Sequence, residues 1–179
     1  MEVLVDNDID NFIDIEFPPT LKSIHDPDEN YPFEDVIVWK RPKDFLVPER
    51  GSLQIYSSQI KPSDVVVGKL GDAWFTGALA CLAEKPSLVD KLFITKNHNE
   101  AGLYKIQICK GGIWQDITID DYIPCGVSSG GMALFSKTKT SDLWVMLLEK
   151  AYAKVHRNYA TLRGGLVSEA LYDLTGMPT

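Results

Sequence analysis

Residues 143–165 read LWVMLLEKAYAKVHRNYATLRGG. Leu143, Trp144, Leu147, Leu148, Ala151, Tyr152 and Val155 recur three and four residues apart, which puts them on one broad face of an amphipathic helix. Thr140 or Ser141 is the expected cap. Asp142 then falls in the first turn, where the helix dipole favours a carboxylate. Gly164-Gly165 breaks the chain, and a last short helix, VSEALYDL, is expected before Gly176 and Pro178 stop it.

Upstream lies the clearest strand signal. In GLYKIQICK (102–110), Leu103, Lys105, Gln107 and Cys109 alternate with Tyr104, Ile106 and Ile108. In IWQDITIDDYIP (113–124), Ile113, Gln115, Ile117 and Ile119 form one alternating set. The two runs flank Lys110-Gly111-Gly112 and read as a hairpin. Pro124 ends it, and CGVSSGGM reads as a loop. Further back, Ala73 to Ala83 is apolar almost all round, as a buried helix would be. Pro86 is placed to open a second short helix, PSLVDKLF. From residue 17 to 64 the chain is punctuated by seven prolines, so long helices are not expected there. VIVWKRP (36–42) suggests an edge strand or an extended wrap. Helices and a hairpin without βαβ alternation indicate an α+β fold. There is no internal repeat and no low-complexity tract.

At 179 residues and 45% hydrophobic, the chain can bury one substantial core. No window is apolar enough for a transmembrane span, and the acidic start lacks a secretory n-region. Cys81, Cys109 and Cys125 show no pairing or metal spacing and read as reduced thiols of a cytoplasmic protein. The net charge of −7 is concentrated at the start, where residues 1–35 hold eleven acids and one base, Lys22. No basic stripe interleaved with aromatics exists, so nucleic-acid binding is disfavoured. The acidic segment reads as a solvated tail or, given Ile9, Phe12, Ile13, Ile15 and Phe17, as an interaction arm. His25, His98 and His156 are isolated and read as surface residues.

GKLGDAWFT (68–76) raises the functional question. A glycine-rich turn and Asp72 run into the apolar helix, an architecture that suits a reactive side chain at a helix N-terminus. The residue there is Ala73. Taken with this stretch, the hairpin ending DDYIP, the segment LLEKAYAK and the closing LYDLTG resemble, in that order, the first half of the calpain cysteine-protease core. The likeness runs from EFPP (16–19) through WKRPKDF (39–45) to the C-terminus. It implies a papain-like cysteine protease lobe over 17–179. Its central helix would be buried, with flanking helices and a small antiparallel sheet around it. An acidic N-terminal arm would cover 1–16, and a second lobe, absent here, would carry the catalytic histidine and asparagine.

Cysteine proteolysis needs a thiolate, a base and donors for the oxyanion. In calpain-like cores the cysteine follows GD and precedes W, a position held here by Ala73. A glutamine six residues earlier donates to the oxyanion, and Val67 stands there. Two losses in one site favour natural degeneration over an alanine engineered into a truncated but otherwise active calcium-dependent endopeptidase. Gly71, Asp72 and Trp74 would remain as the substrate cleft, with Trp74 chiefly packing. The resemblance also implies a calcium site formed by the carboxylates of Asp64 and Asp142 and the carbonyls of Ser57 and Gln59, where the family usually has a glutamate at the second carboxylate. Without calcium, Asp64 is a turn residue and Asp142 a first-turn carboxylate. Asp120 and Asp121 read as a strand-end turn. The expected function is a catalytically inactive lobe that binds a protein or peptide. A structural module in a cytoskeletal or membrane-associated assembly is the remaining reading.

Overall fold

A computed structural model describes residues 11–26, 28, 33–47, 52–56 and 59–178. Five helices and six short strands alternate without βαβ units: α1 (Leu21–Ile24), β1 (Ile37–Lys40), β2 (Val65–Val66), α2 (Ala73–Ala83), α3 (Pro86–Leu92), β3 (Leu103–Lys110), β4 (Ile113–Asp120), β5 (Ile123–Gly126), β6 (Lys137–Thr138), α4 (Trp144–Val155) and α5 (Val167–Thr175). The strands pair antiparallel as three two-stranded sheets, β1–β5, β2–β6 and β3–β4. The fold is α+β, as the sequence indicates.

The expected helices form where the patterning puts them. α2 starts at Ala73 and buries Phe75, Ala78, Leu79 and Leu82, and α3 opens on Pro86. The hairpin pairs Lys110 with Ile113 across Gly111-Gly112, whose φ values of +60° and +79° suit the twist of a two-residue turn. Tyr104, Ile106 and Ile108 are buried as one face, but on β4 only the end nearest Asp120 is. Ile113 and Trp114 are exposed, although the hairpin tip lies beside α5, where Lys110 pairs with Asp173 at 2.7 Å. α5 ends at Gly176 in the left-handed conformation, φ +68°.

Four features depart from the sequence reading. CGVSSGGM is not all loop: Cys125 and Gly126 extend β5, which pairs with β1 in the register Trp39↔Pro124. On its edge away from β1, β5 is bridged by residues 132–134, and Pro124 takes part there as an acceptor, its carbonyl receiving the Leu134 amide at 2.9 Å. α4 begins at Trp144, so Asp142 precedes the helix, and neither Thr140 nor Ser141 caps it. The amides of Leu143 and Trp144 donate instead to the Ile55 carbonyl, at 2.9 and 2.8 Å. α4 is also buried almost all round, Glu149 and Lys150 included. Finally, His25 is buried and His98 and His156 are half-buried, so none of the three is a fully exposed surface residue.

Of the acidic arm assigned to 1–16, residues 1–10 fall outside the described residues. Its end is docked on the lobe. The Phe12 amide donates to the Ala101 carbonyl at 2.8 Å, and buried Asp14 accepts from Lys154 Nζ at 2.7 Å. The Asp14 amide donates to Asp120 at 2.8 Å. An aromatic core lies beneath, with Tyr159 packed on Phe17 and Phe135 and with Phe75 stacked on Tyr152 at 4.5 Å between centroids. Among the described residues no helix is long and apolar enough to cross a membrane. The three cysteines are unpaired, with Cys109 and Cys125 buried and Cys81 exposed.

Candidate functional site

The N-terminus of α2 opens on the surface at Ala73, which is exposed. The leading N–H groups of a helix have no intrahelical acceptors and carry its positive dipole end. Around this point the chain gathers Gly71, Asp72, Ala73 and Trp74 with the loop before α5. The Gly71 carbonyl accepts from the Gly164 amide at 3.4 Å. Trp74 Nε1 donates to the Leu162 carbonyl at 2.8 Å. Gly165 lies against the Trp74 ring, and a β-carbon there would fall 2.4 Å from it. Trp74 is thereby a packing residue that fixes the loop beside Ala73. Val67 is 53% exposed and has no side-chain donor.

Asp72, by contrast, turns inward. It occupies the N-cap position but makes no cap hydrogen bond, and its side chain is fully buried. It meets the carboxyl of Glu149, which reaches back from α4 and accepts from the Ser136 amide at 3.1 and 3.2 Å. Burial pushes the Asp72 carboxyl above the usual range. Burial and the facing Asp72 push Glu149 well above it.

Lys150, the next residue, buries an ammonium on another side of α4. It donates to Asp120 and, at 2.6 Å, to the Tyr122 carbonyl. Asp121 accepts from the Arg41 guanidinium at 2.7 and 3.2 Å. The Asp120–Asp121 pair is thus a buried junction of two ion pairs rather than a simple strand-end turn. No local pattern signals it, because the partners lie 30 and 80 residues away.

The residues singled out for calcium sit on neighbouring segments. β2, just after Asp64, pairs with β6, and the Asp64 carbonyl accepts from the Lys139 amide at 2.8 Å. The Asp142 carbonyl accepts from Thr138 Oγ1 at 2.7 Å. Asp64 Oδ2 accepts from the Lys61 amide at 3.1 Å and so closes a 3₁₀ turn. Gln59 is exposed, and Ser57 lies outside the described residues. Calcium takes six to eight oxygens. Among the described residues, no group of three ligand-type side chains includes Asp64 or Asp142.

A second polar cluster was not foreseen from sequence. His156, Glu169 and Asp173 bring ligand-type atoms within 4.8 Å of one another. Lys110 Nζ sits among them, at 3.0 Å from His156 Nε2 and 2.7 Å from Asp173. The lysine already offsets part of this group's negative charge. Burial holds the His156 pKa below its ordinary value.

Comparison with known proteins agrees with the geometry. Residues 12–179 match the family described as calpain family cysteine protease. The chain is 44% identical over 170 residues to the calpain-type cysteine protease DEK1 of Arabidopsis thaliana, covering 92% of this chain and 8% of that protein. It is 41% identical to the calpain-type cysteine protease ADL1 of Oryza sativa subsp. japonica, covering 98% of this chain and 8% of that one. Against calpain-10 of Rattus norvegicus it is 37% identical over 150 residues, 80% of this chain and 22% of the relative. The chain therefore spans a small part of each relative's length.

Proposed function

This chain belongs to the calpain family of cysteine proteases, and we propose that its protease lobe serves binding or regulation rather than peptide-bond cleavage. The observation that carries this reading is Ala73, the first residue of α2, exposed where a nucleophile would need to stand. A methyl group has no lone pair to attack a carbonyl and no proton to give up. Loss of a nucleophile costs on the order of 10⁶-fold in a triad protease. Val67 supports the same reading, since its side chain cannot donate to an oxyanion.

What the face retains suits an extended peptide. The α2 amides and dipole favour a carbonyl or carboxylate. Exposed Val67, Leu166 and Val167 offer apolar contacts. The partner is read as a protein or peptide segment. The test is hydrolysis of an unstructured protein substrate by the full-length protein, with calcium present. No cleavage is expected, and calcium-dependent cleavage with Ala73 in place would overturn the reading.

A disarmed enzyme remains the rival, supported by the Trp74–Leu162 hydrogen bond and the Gly165 contact, which keep the cleft wall in order. Full activity on Ala73→Cys alone, with Val67 unchanged, would favour it. Calcium regulation is carried as part of the proposal, at Asp64, Asp142 and the 57–59 carbonyls. Calorimetric titration with Ca²⁺ is expected to give heat that Asp64→Ala removes, and zero heat in both would end the idea.

A further inference from the structure

We propose that Glu149 is a neutral carboxylic acid at neutral pH, that it donates a hydrogen bond to an ionised Asp72, and that this one proton fastens the N-terminus of α2 to the middle of α4. Asp72 is fully buried, and its two oxygens are without a hydrogen-bond partner unless the facing acid carries a proton. Glu149 is equally enclosed, and the Ser136 amide is the donor it receives from the protein. No ion pair of the described residues includes either group. Two carboxylates left bare against each other in a buried site would each lack a counter-charge and repel. A shared proton removes one charge and supplies the missing donor.

The proton can be assigned to one partner. Asp72 sits at the N-cap of an eleven-residue helix, whose dipole favours a negative charge there. Glu149 lies within α4, away from either helix end. An O–H on Glu149 directed at Asp72 leaves its other oxygen to accept from Ser136. The buried Tyr159 phenol interacts with both carboxyls, and the other groups that act on that phenol are Asp120 and Cys125. None is cationic, so nothing there favours a second negative charge. Lys150 points its ammonium to Asp120 and Tyr122 instead.

The consequence is a pH-dependent anchor beside the cleft face. Free carboxyls of an unfolded chain lose their protons near pH 4. The folded pair keeps one to higher pH, so the folded state binds more protons than the unfolded state and stability falls as pH rises. The raised pKa of Glu149 agrees in direction. His156, whose pKa is lowered, acts with the opposite sign below its ordinary pKa, and a comparison of variants cancels it.

The test is urea unfolding of the 179-residue chain and of Glu149→Gln between pH 5 and 8. The glutamine amide supplies the donor permanently and does not titrate. The variant-to-parent ratio of folding constants is expected to rise toward tenfold per pH unit, about 1.4 kcal/mol, until the pair itself ionises. Asp72→Asn should shift in the same direction. Parallel pH profiles for parent and variants would overturn the proposal. Infrared spectroscopy of the parent at pH 7 gives a second reading that needs no folded variant. The C=O stretch of a protonated carboxylic acid is expected, and its absence would equally overturn the assignment.

Discussion

Glu149 and Lys150 are neighbours on one helix, both buried, and they solve the same problem in opposite ways. Lys150 carries its charge inside and meets an anion, Asp120, together with the Tyr122 carbonyl and the face of Trp39. Glu149 meets another acid, Asp72, and one backbone amide. An opposite-charge pair in the interior is held by Coulomb attraction and hydrogen bonds, provided both partners stay. A like-charge pair is held only by giving up a charge. The first site is sensitive to losing a partner, and the second to pH. This contrast explains how a helix with both an acid and a base in its centre can lie buried on all sides.

The largest effect should come from breaking the opposite-charge site. Lys150→Met keeps the volume but leaves Asp120 buried without its cation, and about 3–5 kcal/mol of stability should be lost. Thermal unfolding would register this as a drop of roughly 10 °C in Tm. A loss under about 1 kcal/mol would mean Asp120 takes up a proton at little cost. Lys154→Met tests a less enclosed version. Its side chain is 15% exposed and its partner Asp14 5%, so a cost of about 1–2 kcal/mol is expected. Faster proteolysis within residues 11–17 should accompany it, because Asp14 ties that segment to α4 and Asp120. The like-charge site should respond differently again. Glu149→Gln should be close to neutral at pH 5 and increasingly stabilising above it, as derived for the shared proton. The smallest effect belongs to Lys96→Ala, whose partner Asp90 is half exposed and 3.1 Å away. A change below about 1 kcal/mol, diminishing further in salt, is expected from denaturant midpoints.

The local elements were legible because their signals are local. The alternation of Tyr104, Ile106 and Ile108 around Gly111-Gly112 defines a hairpin, and Pro86 marks the start of α3. Gly176 and Pro178 stop α5 where expected. The order of GKLGDAWFT, DDYIP, LLEKAYAK and LYDLTG was enough to point to the family that the comparison then identified. Periodicity failed on α4, where it separated an apolar face from a polar one. It cannot tell a solvated Glu149 or Lys150 from a buried one, because the difference lies in what faces the helix. β5 was missed because Pro124 and the glycines after Cys125 look like a loop until β1 is laid beside them. The cap of α4 was misassigned for the same reason, since the Ile55 carbonyl that satisfies its first amides belongs to a distant segment.

The candidate site divides along the same line. Sequence located Ala73 at a helix N-terminus and Val67 six residues before it, and so framed the question of lost chemistry. It read Asp72 as part of the cleft, whereas the side chain faces the interior.

By itself, the sequence determined the α+β class and the positions of α2, α3, the hairpin and α5. These follow from side-chain size, polarity and spacing within a dozen residues, which is the range over which helix and strand periodicity acts. The tertiary structure decided which charges are buried and what neutralises each of them. Asp14 is bonded to a residue 106 positions away and to another 140 away, and Lys150 to one 30 away. Only folding sets those distances, and in a low-dielectric interior the distance to a partner decides whether a group keeps its charge.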